Sequence, residues 1–336
     1  MPPMQLESYV NTLGRHLKTR FGERVRKLSL HADFTCPNRD GTLGRGGCTF
    51  CSVLSFNPTQ PQTPIDEQLA AAKAETKRAS RYLVYFQAYT STYAEVEQLR
   101  RLYAQATAQA DIVGLCVGTR PDCLPDSALA LLADYRRRGY EVWLELGLQS
   151  AHDETLARIN RGHGFAAYAD AVGRAQRQGV PVCTHLIVGL PGETPAMSFE
   201  THARVIGLGV AGLKLHPLMI VKGSRLAAHY ARKTVSPPDL ADYAATAAEL
   251  IRRTPADVIF HRVSATAREP TLIAPQWCYT SWPAINAICA DLAKNGGQGS
   301  RARVPTHPSD ATSGMIAPIE PSSSDRCRPC VSTTAS

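Results

Sequence analysis

"EVWLELGLQS", residues 141–150, decides how this chain folds. Side chains on an extended strand alternate between its two faces. Leu144, Leu146 and Leu148 therefore fall on one side, and Trp143, Glu145, Gly147 and Gln149 on the other. One face is apolar and suited to packing under helices, while the other carries a carboxylate and an amide. "AGLKLHPLM" (211–219) repeats the pattern, with Lys214 and His216 opposite Leu213 and Leu215. Polar residues facing inward on several strands predict a cavity for a polar ligand. A satisfied internal hydrogen-bond network is the other account of any one of them.

Outward from this stretch, apolar runs alternate with amphipathic segments. The strand candidates are 25–34, 82–89, 111–119, 141–150, 180–190 and 211–219, with helices expected over 65–80, 94–109, 126–138, 165–178 and 196–207. Gly139 and Gly179 stand where helix ends need a left-handed residue, and Pro125 suits a helix start. Repeated β-then-α units make a parallel sheet under helices. Six units fit an open barrel as readily as a doubly wound sheet, and the inward polar faces favour a partial (β/α)6 TIM-like barrel. The expected organisation is an N-terminal extension (1–24), a barrel with a C-terminal cap (25–294), and a disordered tail (295–336) rich in Gly, Pro, Ser and Thr.

The first strand runs directly into "CPNRDGTLGRGGCTFC", Cys36 through Cys51. In β/α barrels chemistry gathers where strands end and βα loops begin. Three thiolates at 36, 48 and 51 can hold a four-iron cubane and leave one iron open to a further ligand. A zinc site completed by His31 or a distant residue is the alternative, and spacing alone favours neither. Cys116, Cys183 and Cys289 lie in apolar runs and read as small core residues. "CRPC" near the C-terminus, Cys327 and Cys330, is a lone pair in an unstructured context.

The loop resembles the cluster motif of radical S-adenosylmethionine (SAM) enzymes with a lengthened first gap. The likeness extends to "SLHADFTCPNRDGTLGRGGCTFCS", "YFQAYTSTYA", "VGTRPDCLPD", "ELGLQSAHDETLARINRGH", "HLIVGLPGE", "LKLHPL" and "LIAPQWC", in order from Tyr9 to Leu292. These resemble the YhcC-like branch, which stands near the elongator catalytic subunits that modify tRNA wobble uridines. The resemblance implies a 4Fe–4S cluster on Cys36, Cys48 and Cys51, with SAM on the open iron. Reductive cleavage of SAM would then give a 5′-deoxyadenosyl radical. It also implies cofactor contacts at Phe50, Gln87, Thr119, Glu145, Gln149 and Gly189. Catalytic or substrate-binding roles fall to Arg120, His185, Lys214 and His216. The Gly-Gly-Glu motif common in these enzymes is replaced by "FQAYTSTY", so Gln87, Thr90 or Ser91 would take its contact. Trp277 and Cys278 would cover the barrel mouth. Expected partners are a reductant such as flavodoxin or ferredoxin, and tRNA.

Bulk properties set limits around this reading. Net charge is +8, from 37 basic and 29 acidic side chains, which is compatible with a nucleic-acid substrate. No RNA-recognition aromatic signature accompanies it. No run nears eighteen apolar residues and the start lacks a secretory pattern, so a soluble cytoplasmic protein with reduced thiols and no membrane contact is expected. Two other functions stay open at this stage. One is radical chemistry on a small metabolite or protein; the other is a non-enzymatic, zinc-stabilised binding protein.

Overall fold

A computed structural model describes residues 6–52, 63–76, 79–267 and 269–302. Seven parallel strands form one curled sheet in the order β1 (Val25–Leu30), β2 (Arg81–Phe86), β3 (Ile112–Thr119), β4 (Glu141–Gln149), β5 (Val182–Val188), β6 (Gly212–Pro217) and β8 (Ile259–Arg262). A short antiparallel pair, β7 (Ile220–Val221) with β9 (Leu272–Ala274), stands beside β6. The architecture is the partial barrel that the alternation predicts, with one strand more than six. β8 escapes sequence reading because it is only four residues long and ends in polar His261 and Arg262.

Helices cover the outer face. α3 (Ile65–Glu75), α4 (Val96–Ala106), α5 (Asp126–Arg137), α7 (Phe165–Arg177), α8 (Pro195–Gly207) and α10 (Leu240–Arg253) follow β1 to β6 in turn, with short α2 (Pro37–Asp40), α6 (Asp153–Arg158) and α9 (Arg225–Ala231) in the βα loops. Pro125 caps the start of α5, and Gly139 and Gly179 follow α5 and α7 at φ 92° and 69°. Leu144, Leu146 and Leu148 lie fully buried in one core with Leu129, Leu132, Val172 and Ala175 from α5 and α7. Each such leucine contributes about 2 kcal/mol of hydrophobic burial.

The inward residues of β4 mark successive levels of the barrel. Trp143 lies low in the barrel, just above Glu141, in a separate cluster with Tyr85, Cys116, Cys183 and Ile259. The expected N-terminal extension is part of this floor: α1 (Leu13–Phe21) inserts Leu13 and Leu17 into the same cluster. Arg20 and His16 both reach Glu141, which also accepts from Trp143 Nε1 at 2.6 Å. Just before α1, the main-chain oxygen of Asn11 accepts from Phe260 N at 2.8 Å, on β8.

At the other end, α11 (Trp282–Asn295) packs on α10. Residues 296–302, expected in the tail, are instead fixed to the barrel. Gln298 accepts from Asn11 N and donates to Pro255 O and Val258 O, and Arg301 pairs with Glu249 at 2.8 Å. Glycine and serine content reads as linker, but short polar side chains and left-handed glycines also suit a chain that runs along a surface making main-chain bonds. Cys327 and Cys330 lie outside the described residues. Among those residues no helix is long and apolar enough to cross a membrane.

Candidate active site

Above the Trp143 floor, one carboxylate gathers five strands. Glu145 on β4 is fully buried. Its Oε1 accepts from Lys27 Nζ (β1) at 2.6 Å and His261 Nδ1 (β8) at 3.0 Å. Its Oε2 accepts from His185 Nε2 (β5) at 2.7 Å and Lys214 Nζ (β6) at 2.9 Å. The Tyr85 ring lies within 4.6 and 4.7 Å of the two ammonium groups, and its hydroxyl accepts from Lys214 at 3.0 Å. Burial opposes ionisation of Glu145, but Lys214, Lys27 and the two imidazoles outweigh it and hold the carboxyl well below its usual range. Burial, with help from nearby Lys214 and Lys27, pushes His185 down to about 4 and His261 to about 3, so both are neutral donors. Lys214 is pushed down to about 8 by burial and by Arg262 and Lys27, against the pull of Glu145. At neutral pH two cations and one anion remain, so the hub presents a net positive charge upward.

A cavity of about 240 Å³ opens over this hub toward the C-terminal strand ends. Its walls include Cys36, Cys48, Phe50 and Cys51 from the loop after β1, and Gln87, Thr119, Arg120, Gln149, His185, Lys214 and His216 from the ends of β2 to β6. Glu145 closes the bottom. The sequence-predicted residues thus come together, except Gly189. That glycine, at φ 87°, lines a different depression beside α8, where an added Cβ would stand 2.7 Å from Pro238 Cδ. Its backbone conformation serves the packing of residues 234–238, not this cavity.

Several predicted residues are already engaged. Thr119 shares a 2.6 Å hydrogen bond with Thr92. Arg120 forks onto Asp122 at 3.0 and 2.7 Å and donates to Arg161 O at 2.8 Å. Two polar atoms are not. Thr90 Oγ1 and His216 Nε2 are buried without a hydrogen-bond partner among the described residues, and both residues line the cavity. Buried polar atoms are seldom left unpaired, which makes these two candidates to meet a ligand. Ser91 Oγ, by contrast, bonds Phe86 O and Ala88 O. Trp277 and Cys278 lie one layer back, Cys278 in an apolar cluster with Val221 and Leu272, and Trp277 Nε1 donating to Pro238 O. Val221 and Met219, not those two, form the wall there.

The cysteine loop carries its own donors. Asn38 Nδ2 and Arg161 Nη1 stand 3.7 and 3.4 Å from Cys48 Sγ, and Arg39 Nη2 donates to Cys51 O at 2.9 Å. Arg161 is 6% exposed and donates to Gly147 O at 3.2 Å, yet it has no carboxylate partner among the described residues. Gly147 makes this possible: a Cβ there would stand 2.7 Å from Arg161 Nη2. Sequence reasoning passed over Arg161, which sits in a loop after α6 with no periodicity to mark it. It also missed Lys27, although Val25, Lys27 and Ser29 alternate with Leu28 and Leu30 as Lys214 does with its neighbours. His31, the candidate fourth zinc ligand, is not a wall residue; its Nδ1 accepts from Asp33 N at 3.3 Å. Among the described residues no three His, Cys, Asp or Glu side chains converge as one metal ion would need. Three thiols facing one cavity, with a guanidinium and an amide at the Cys48 sulfur, fit a larger anionic group.

The family model of the radical SAM superfamily matches residues 40–204, and that of the Radical_SAM C-terminal domain matches 210–294. Protein YhcC of Escherichia coli K12 is 56% identical over 298 residues, 88% of this chain and 96% of that protein. The chain belongs to the radical SAM superfamily. Radical SAM proteins are enzymes whose cofactors are a 4Fe–4S cluster and SAM, and the donor set above suits that pair. The radical SAM barrel is similar to that of an archaeal Methanocaldococcus infernus Elp3 lacking residues 1–46, with a TM-score of 0.57 and 16% identity over 82% of this chain and 64% of that one. A shorter stretch, 36% of this chain, is 32% identical to 26% of a tRNA uridine(34) acetyltransferase of Dehalococcoides mccartyi.

Proposed function

We propose that this radical SAM enzyme holds its 4Fe–4S cluster on Cys36, Cys48 and Cys51, cleaves SAM reductively, and acts on a wobble uridine of tRNA. One observation carries the cofactor part: three thiols face the same cavity as a buried guanidinium, Arg161, that has no carboxylate partner among the described residues. When bound, the cluster and SAM supply a 5′-deoxyadenosyl radical that removes a hydrogen atom from the substrate. The chain's own residues do the rest. Asn38 and Arg161 stabilise negative charge on the Cys48 sulfur, and Arg39 fixes the main chain at Cys51. Arg161 is available to a carboxylate, and Thr90 Oγ1 to an amino group, which are the two charged ends of the methionine part of SAM. Phe50 and Gln149 wall the space left for the nucleoside. His216 Nε2, at the β6 side, faces the substrate. The buried hub beneath excludes water and fixes the relative positions of the strands that carry these groups.

The tRNA part rests on the likeness to the tRNA uridine(34) acetyltransferase and on the basic charge of the chain. A flavodoxin- or ferredoxin-type protein would deliver the electron. The test begins anaerobically with reconstituted protein, dithionite and SAM, assayed for 5′-deoxyadenosine and methionine beside a Cys48→Ala control. Turnover lost in the control supports the cofactor assignment; a colourless, zinc-bound protein without turnover removes it. Nucleoside mass spectrometry of tRNA from cells lacking the protein, before and after incubation with it, tests the substrate. Unchanged uridines would redirect the search to small metabolites or proteins.

A further inference from the structure

Residues 201–238 contain six lysines and arginines and no aspartate or glutamate, within a chain whose net charge is +8. Lys214 is used in the hub, and Arg204 lies over the Phe165 ring at 3.8 Å. The other four, Lys222, Arg225, Arg232 and Lys233, are exposed, and none has a carboxylate partner among the described residues. Some exposed arginines elsewhere are paired, as Arg81 with Glu23 at 2.6 Å, Arg253 with Glu249 at 2.7 Å, and Arg137 with Asp134 at 3.2 Å, while Arg101, Arg136 and Arg177 on the helical layer are not, among the described residues. What distinguishes this segment is four such cations close together with no acid among them.

The segment bearing these four begins at the cavity mouth. Val221 is a wall residue, and the next residues dock on the cysteine loop, where Leu226 N donates to Thr49 O at 2.9 Å. The Arg225 guanidinium lies over Gly46, whose added Cβ would come within 3.8 Å of it. Arg45, exposed and also without a carboxylate partner among the described residues, adjoins this point. Asp40, the one acid between residues 36 and 52, has its carboxylate engaged by Thr42 N at 2.9 Å and Thr42 Oγ1 at 2.7 Å. A cationic track therefore leads from the mouth along α9, with uncompensated charge that a polyanion neutralises.

We infer that Arg45, Lys222, Arg225, Arg232 and Lys233 form the phosphate-binding track that holds an RNA substrate against the cavity mouth. This rests on the tRNA reading above and adds where the RNA backbone runs. Such contacts position the substrate without reading sequence, which leaves recognition of the base to the cavity.

The experiment uses the reconstituted holoenzyme and unfractionated tRNA, with binding followed by anisotropy across a salt series. The track variant replaces Lys222, Arg225, Arg232 and Lys233 with Gln; a control replaces Arg101, Arg136, Arg137 and Arg177, which are exposed on the helical layer. Loss of four phosphate contacts is expected to flatten the slope of log K against log salt by about 3, and to weaken binding at least tenfold at moderate salt. The control should bind as the unaltered enzyme does. SAM cleavage without tRNA should survive in both, since none of the eight residues lines the cavity. Should the quadruple variant fail to fold, Arg232→Gln with Lys233→Gln, at the far end of the track, should still flatten the slope by about 1.5. Equal binding by track and control variants overturns the track and leaves the tRNA reading intact. Failure of the unaltered enzyme to bind tRNA at all, with SAM cleavage preserved, overturns both.

Discussion

Lys214 on β6 and Glu145 on β4 meet at 2.9 Å in the interior of the barrel, with side chains 3% and 0% exposed. The strands they leave are not neighbours: β5 lies between them and adds His185 to the same carboxylate. This contact, with Lys27 and His261 from the two edge strands, makes Glu145 the point through which an unclosed barrel holds its curvature.

Glu145→Gln leaves two ammonium groups buried without an anion. Removing one partner of a buried charge pair costs about 3–5 kcal/mol. A large drop in Tm is expected, partly relieved by adding Lys214→Met, which removes one of the stranded charges. If Glu145→Gln melts like the unaltered protein, the hub does not hold the sheet.

Stability should also depend on buried imidazoles. Burial pushes His185 and His202 down to about 4 and His261 to about 3 in the folded state, below the ordinary value near 6.5. Between pH 6.5 and these values the unfolded chain binds protons that the folded chain does not. Stability is therefore full above pH 6.5 and is lost as pH falls toward 4, each histidine contributing on the order of 3 kcal/mol. His202, bonded to Thr254 Oγ1 at 2.7 Å and outside the cavity, is the cleanest probe. Denaturant midpoints for His202→Asn should vary less between pH 7 and pH 4.5 than those of the parent protein; parallel curves would contradict this.

Arg161 and Gly147 should act together on SAM. Arg161→Gln removes a charge-assisted hydrogen bond of about 1.5–3 kcal/mol, equivalent to weakening SAM binding by roughly 10- to 100-fold. Gly147→Ala, through its 2.7 Å approach to Arg161, should weaken binding in the same direction although it removes no charge. Calorimetric titration of SAM into the reconstituted protein checks both. Undiminished affinity in Arg161→Gln would release that residue from the role.

The C-terminal boundary can be mapped by truncation. Ending the chain after Ala302 keeps the three hydrogen bonds of the Gln298 side chain and the Arg301–Glu249 pair; ending it after Asn295 loses them. At about 1 kcal/mol per hydrogen bond, the shorter chain should be less stable by about 3 kcal/mol. Matching denaturation curves for the two truncations would place residues 296–302 outside the cooperative unit.

Much of this was legible in one dimension. The alternation of Leu144, Leu146 and Leu148 with Trp143, Glu145 and Gln149 is a local consequence of strand geometry, and it settled which residues face the helices and which the cavity. The cysteine spacing, placed after the first strand, likewise settled which loop carries the thiols. Pairings between distant strands were not legible, because alternation says which way a side chain points and not what it meets. Lys27, His261 and the carboxylate they share are 118 and 116 residues apart in sequence. Arg161 lies in a loop, where no period marks a residue as buried, and α1 reads as an appendage until Leu13 and Leu17 are seen beneath Trp143. The sequence by itself determined the repeating β/α units, the inward polar faces and the thiol loop, since each is written in residues close together. Only the tertiary structure decided that Glu145 is a shared anchor, that Thr90 and His216 bring unpaired polar atoms and Arg161 a guanidinium without a carboxylate partner among the described residues to one cavity, and that Arg225 reaches the loop at Gly46. Those facts depend on curvature and burial, which bring together groups that no local pattern connects.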